Sequence, residues 1–206
     1  MLQFARIISA VFHPLGMPLA IFFIAVLFDP YFRNFFPAQL IGLFAIILMI
    51  NIIAPGLSLY FMWKRGLIGD LNISKRSERW LPFFIVLVYY ALSYYMLRQR
   101  DLPIPYAVYS MFLGVIITLI AAILVNSFWK ISIHMMSAGG LVGTFAGLFV
   151  LHQYSNATLL AGLIAIASFV GFSRIITKNH TPAQVYVGFV VGFLLNYATI
   201  SLGVVI

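Results

Sequence analysis

The chain has 206 residues, 64% of them hydrophobic and 8% charged, with a mean hydropathy of +1.09. Soluble domains carry about 25% charged residues because their surface faces water; 12 Lys/Arg and 4 Asp/Glu are too few for that, so the bilayer is expected to be the solvent. There is no cysteine, which excludes disulfide and thiolate chemistry, and the +8 formal charge is read as loops beside lipid phosphate, not a nucleic-acid-binding face.

A helical span needs about 20 mostly apolar residues to cross roughly 30 Å of hydrocarbon. Seven stretches qualify, approximately 7–28, 37–63, 81–98, 105–128, 134–153, 156–173 and 182–205. The first begins near the N-terminus and is broken by His13-Pro14; it lacks a small-residue cleavage site and is expected to be retained as a span, not removed as a signal peptide. The second is interrupted at Ala54-Pro55-Gly56, which membrane helices tolerate when neighbours satisfy the freed carbonyls. In the fifth span Gly139, Gly143 and Gly147 recur every four residues, as Gly188 and Gly192 do in the seventh. Such rows allow close backbone approach and predict that these two helices lie inside the bundle. Asn51 and Asn196 fall within spans and are expected to bond between helices, while Trp80 and Trp129 are expected at the interface. His13 is expected to be structural, and His152 an ordinary interfacial residue. The fold class is therefore an all-α, polytopic transmembrane helical bundle in a single domain spanning 1–206.

Polar residues gather in three alternate loops. The loop after the second span holds Lys64, Arg65, Asp70, Lys75, Arg76, Glu78 and Arg79; the next even-numbered loop holds Trp129, Lys130, Ser132 and His134. The last holds Ser173, Arg174, Lys178, Asn179 and His180. With seven spans, all three emerge on one side together with the N-terminus. That side then collects Arg6 and eight further Lys/Arg residues, against Arg33, Arg98 and Arg100 opposite. Positive-inside bias explains basic loops, but it has no need of histidines or a Ser-Arg pair at span ends; those features point to convergence on a phosphate.

The last loop reads Ser173-Arg174-x5-His180-x3-Gln184, the middle one Lys130-Ile131-Ser132-Ile133-His134, and the first Lys75-Arg76-Ser77-Glu78-Arg79-Trp80-Leu81-Pro82. At these residues the chain resembles the type-2 phosphatidic acid phosphatase (PAP2) superfamily, whose motifs K-x6-RP, PSGH and SR-x5-H-x3-D occur in this order on one side of the membrane. The resemblance covers roughly 70–192 and implies a six-helix core, approximately 37–205, plus one extra helix. It also implies roles. His180 would attack phosphorus and form a phospho-enzyme, and His134 would protonate the leaving group. Arg174, Arg79, Ser132 and Ser173 would hold the phosphate, with Lys75 or Arg76 standing in for the first-motif lysine. The implied substrate is a phosphorylated lipid, a phosphomonoester or a diphosphate, and the implied location a bacterial inner (plasma) membrane. An alternative within the same resemblance is a catalytically impaired protein that binds or translocates such lipids.

The residue types suit that chemistry on their own terms. Phosphoryl transfer asks the protein for positioning and charge neutralisation, arginine forks match phosphate oxygens, and a neutral imidazole is a competent nucleophile. No metal and no other cofactor is called for. Only Asp29, Asp70, Glu78 and Asp101 are acidic, too few to assemble the magnesium-binding aspartate pairs of a membrane prenyltransferase.

Three departures stand out. Gln184 replaces the family aspartate: an amide oxygen accepts the same imidazole hydrogen bond but adds no full charge. Thr181-Pro182-Ala183-Gln184 also reads as a capping box starting the last helix, whatever the chemistry. Ile133 replaces the glycine of PSGH, and the K-x6-R spacing puts Asn72 where the lysine would stand. Counting charges without the proposed phosphate ligands leaves three on each side, so the side of the membrane the site faces stays open, as does the oligomeric state.

Overall fold

The structure is a computed structural model that describes residues 1–32, 37–99 and 104–205; Arg33, Arg100 and Asp101 lie outside them. Among the described residues the only regular secondary structure is helical. Helices α1 (Leu2–Val11) and α2 (Met17–Phe28) are short. Helix α3 (Pro37–Ile46) runs through a π-helical stretch, Ile47–Ile53, into α4 (Ala54–Lys64). After a 3-10 turn at Arg76–Glu78 come α5 (Trp80–Arg98), α6 (Tyr106–Phe128), α7 (Ile133–Leu151), α8 (Ala157–Ile176) and α9 (Pro182–Ser201).

Six segments are long and apolar enough to cross a membrane: Leu40–Lys64, Arg76–Arg98 and each of α6 to α9. The stretch expected as the first span, 7–28, is instead two helices of 10 and 12 residues. Pro14 has no N–H to continue α1, and the chain turns through Gly16 N–H to the His13 carbonyl (2.9 Å). At 1.5 Å per residue α2 is only about 18 Å long. The segment still passes from one face to the other: Ser9 bonds Ser173 at the end of α8, while Asp29 bonds His152 at the end of α7.

Around Pro55 the second expected span stays helical. Proline removes one N–H from the ladder, and the preceding turn widens so that Ala54 N–H reaches the Met49 carbonyl, five residues back. Asn51, buried in that stretch, accepts from Ser93 Oγ at 3.0 Å, and Asn196 donates to Thr118 Oγ1 at 3.0 Å, so both asparagines join helices as expected.

Helix α7 is the centre of the bundle; its apolar stretch is 67% buried, against 22% to 44% in the other five. Its principal partner is α9. A Cβ on Gly139 would collide with the Phe189 carbonyl, one on Gly143 with that of Phe193, and one on Gly192 with that of Met136. The glycine rows therefore put two backbones in direct contact. Helix α8 flanks this pair and carries α1 on its side; α6, α5 and α4 follow round, and α2 packs against α7 and the π-helical stretch to close the ring. Exposed Phe84, Val88, Leu92, Phe169, Phe172, Val190 and Leu194 face outwards, where lipid would lie.

Candidate phosphate site

The basic loops converge. Arg79 donates from Nε to the Ile73 carbonyl (2.8 Å) and from Nη1 to the Ile131 carbonyl (3.2 Å), tying the first loop to the second. Ile73 adopts φ +49°, a costly conformation for a β-branched residue, and there its carbonyl meets Arg79. Arg76 reinforces the tie by donating to the Asn126 and Ser127 carbonyls at the end of α6.

The third loop folds back on its own helix. Lys178, at φ +55°, reverses the chain so that Asn179 and His180 N–H groups both reach the Arg174 carbonyl, at 3.2 and 3.3 Å. His180 and Arg174 are thus fixed to each other by backbone. The next residue, Thr181, caps α9 through its hydroxyl, and Gln184 completes the capping box. Gln184 Oε1 accepts from Thr181 N–H (3.3 Å) and also meets His180 Nδ1 (2.9 Å). A backbone N–H can only donate, so the amide atom is the oxygen and His180 Nδ1 must carry the proton. Nε2 then keeps its lone pair, and no group among the described residues bonds it. Helix cap and ring orientation, which compete as readings of the sequence, share one atom.

Arg79, Arg174, His134 and His180 line one cavity of about 150 Å³. Both arginines and His180 are at most 7% exposed. Burial of a cation is costly without a paired anion, yet the only salt bridges among the described residues are Lys75–Glu78 and His152–Asp29. Arg174 Nε and Ser132 Oγ are buried donors without a partner among the described residues. Burial, opposed by the Gln184 hydrogen bond and helped by Arg79, Arg174 and Lys130, pushes the His180 pKa down to about 4. His180 is therefore neutral at pH 7. Lys130 is shifted down too, by burial and then by Arg79 and Arg174, which places a third cation in the cluster. Deeper, the cavity turns apolar along Val86, Val115, Leu119 and Met136.

Other expected site residues are placed differently. Lys75 is exposed and paired with Glu78 at 3.1 Å, and Arg76 is spent on the end of α6; neither lines the cavity. Asn72, at the position the K-x6-R spacing gives to lysine, does. Ser132 is fully buried at the start of α7. Ser173 donates to the Val170 carbonyl (2.7 Å), so Ser9 must donate to Ser173 Oγ (2.9 Å) while accepting from Arg174 Nη1 (3.2 Å). Ser173 thus holds Arg174 through Ser9.

Ser9 is a residue the sequence did not single out. Its carbonyl accepts from His134 Nε2 at 3.2 Å. In an unbroken helix that carbonyl would take the N–H of residue 13; the break after Val11 frees it. His13 also lines the cavity. On the opposite face, buried Asp29 joins His152 Nδ1 (2.7 Å), Tyr154 and the Tyr31 N–H, with Tyr31 stacked on His152. His152 is thus a structural anchor for the end of α2. Among the described residues no three His, Asp or Glu side chains gather as metal ligands.

Compared with protein-family models, curated proteins and solved structures, the chain finds no match in any of the three.

Proposed function

We propose that the chain is a membrane-embedded, metal-independent lipid phosphatase of PAP2 type, acting on a phosphomonoester or diphosphate lipid. The supporting observation is the pair of buried arginines, unpaired with any described carboxylate, in one cavity with a neutral histidine whose Nε2 is free. An anionic phosphate compensates both guanidiniums, and an apolar throat suits the attached lipid. A bacterial inner (plasma) membrane is the proposed location: the described residues form helices, and outer-membrane barrels are built from strands.

In the proposed reaction His180 Nε2 attacks phosphorus, forming N–P as the bond to the leaving oxygen breaks. His180 Nδ1 keeps its proton and donates it in a hydrogen bond to Gln184 Oε1, which orients the ring. Arg79 and Arg174 hold the equatorial oxygens. With the phosphate anion bound and offsetting the two guanidiniums, His134 takes part as imidazolium: the Ser9 carbonyl accepts from its Nε2–H, and its Nδ1 proton passes to the departing oxygen. Water then gives a proton to His134 and its oxygen to phosphorus; N–P breaks, the electron pair returns to His180, and phosphate leaves.

Phosphate release from a panel of lipid phosphates tests this. His180→Ala should abolish release, and undiminished release would overturn the mechanism. Gln184→Glu keeps the reach and adds the missing charge, so release should rise about tenfold, the worth of one pKa unit of imidazolium stabilisation. The amide at position 184 favours a second reading, a protein that binds or translocates phosphorylated lipid. Binding without any trapped phosphohistidine would select it.

A further inference from the structure

We propose that His13 is a phosphate-contacting residue of this site, a third imidazole delivered by the broken N-terminal segment; this rests on the phosphatase reading. His13 lies in the turn between α1 and α2, edge-on to His134 with ring centroids 5.5 Å apart and planes at 83°. Its Nδ1 accepts the Leu15 N–H at 3.3 Å. A backbone N–H has no acceptor role here, so the Nδ1 lone pair is used and the proton of the neutral ring sits on Nε2. No described group accepts from that Nε2–H.

The position of His13 gives the donor its use. A second, outer cavity of about 630 Å³ is lined by Arg6, Ser9, Thr177 and Asn179, and three residues line both it and the inner cavity: His13, Asn72 and Arg174. His13 therefore stands beside Arg174 where the two cavities adjoin, and the first of them reaches His180. A phosphate held by Arg174 would lie next to an N–H donor with no partner among the described residues. Hydrogen bonds to charged groups are worth about 1.5–3 kcal/mol, which corresponds to roughly tenfold to a hundredfold in affinity.

Two substitutions separate this role from a structural one. His13→Asn keeps an acceptor for the Leu15 N–H and removes the Nε2 donor; His13→Gln extends an N–H to about the same reach. Both are to be measured, with Arg174→Ala, for binding of inorganic phosphate and of phosphatidate in phosphatidylcholine nanodiscs, using the full chain. The expected result is a tenfold or greater loss for His13→Asn with near-native binding for His13→Gln. A loss confined to phosphatidate still supports the contact and shows that it needs the lipid-anchored headgroup. Native-like binding by His13→Asn, while Arg174→Ala loses it, overturns the inference and leaves the phosphatase reading intact. Absence of binding by the unsubstituted chain overturns both. A measurement without substitution covers variants that fail to fold: the chain has four histidines, and adding phosphate should shift the Nε2 nitrogen resonance of His13. An unmoved resonance overturns the inference.

Discussion

At the scale of single residues, the proposed chemistry turns on protonation. His180 has its pKa lowered from 6.5 to about 4, so the folded state binds its proton less readily than the unfolded chain. Stability from this group is complete above pH 6.5, falls as pH drops towards 4, and changes no further below that. Thermal unfolding in detergent should show this decline, and His180→Phe should remove its share of it; an unchanged slope would contradict the neutral, buried ring. Under the proposed mechanism the same shift predicts that phosphohistidine formation from a lipid phosphate persists well below pH 6.5. Some of the site was legible at this scale. His134, His180, Arg79 and Arg174 were recognisable because histidines and arginines at span ends are costly without a task. Lys75 and Arg76 were misplaced because sequence spacing does not show which carbonyls a long side chain will find, and Arg76 finds those ending α6. Ser9 carries no signal at all, since its partners are 125 to 165 residues away.

At the scale of elements, α7 and α9 are set by glycine. Gly139→Ala places a methyl against the Phe189 carbonyl, where backbone cannot yield as a side chain would. It should destabilise the fold by about 1–3 kcal/mol, the usual cost of overpacking, and also impair the site, because His134 begins α7 and Gln184 sits in the first turn of α9. Gly162→Ala meets open space in α8 and should be neutral or stabilising by up to about 1 kcal/mol. Melting midpoints of the two variants in one detergent check the contrast. Four-residue glycine spacing was readable as packing from sequence alone. The fate of residues 7–28 was not, because hydropathy counts apolar residues and does not register that Pro14 and Gly16 turn the chain within them.

At the scale of the whole molecule, the hydrogen bonds fix which ends share a face. Ser9, Arg79, Lys130, Arg174 and His180 belong to one, and Asp29, His152 and Tyr154 to the other. The chain has no cysteine, so single substitutions report cleanly. Lys64→Cys, Gln3→Cys and Lys178→Cys should all react with a membrane-impermeant thiol reagent from one side, and Gln153→Cys from the other. Reaction of Lys178→Cys and Gln153→Cys from the same side would overturn the arrangement. Alternation of basic and apolar segments made this sidedness legible, since each long span must reverse the face. Which face is cytoplasmic follows from the same labelling in sealed vesicles.

The contact between Ser9 and Ser173 has a consequence in time. The two residues are 164 positions apart, and at roughly 5–20 residues per second a ribosome needs about 8–30 s to travel that distance. Within that interval the Ser9 carbonyl freed by the helix break gains His134 only after three spans have been made, and the Ser9 hydroxyl has neither Ser173 nor Arg174. Arg174 arrives after His134, and His180 follows it. The candidate site is thus completed only after α8 has been made, and its assembly marks the meeting of α1 with α8.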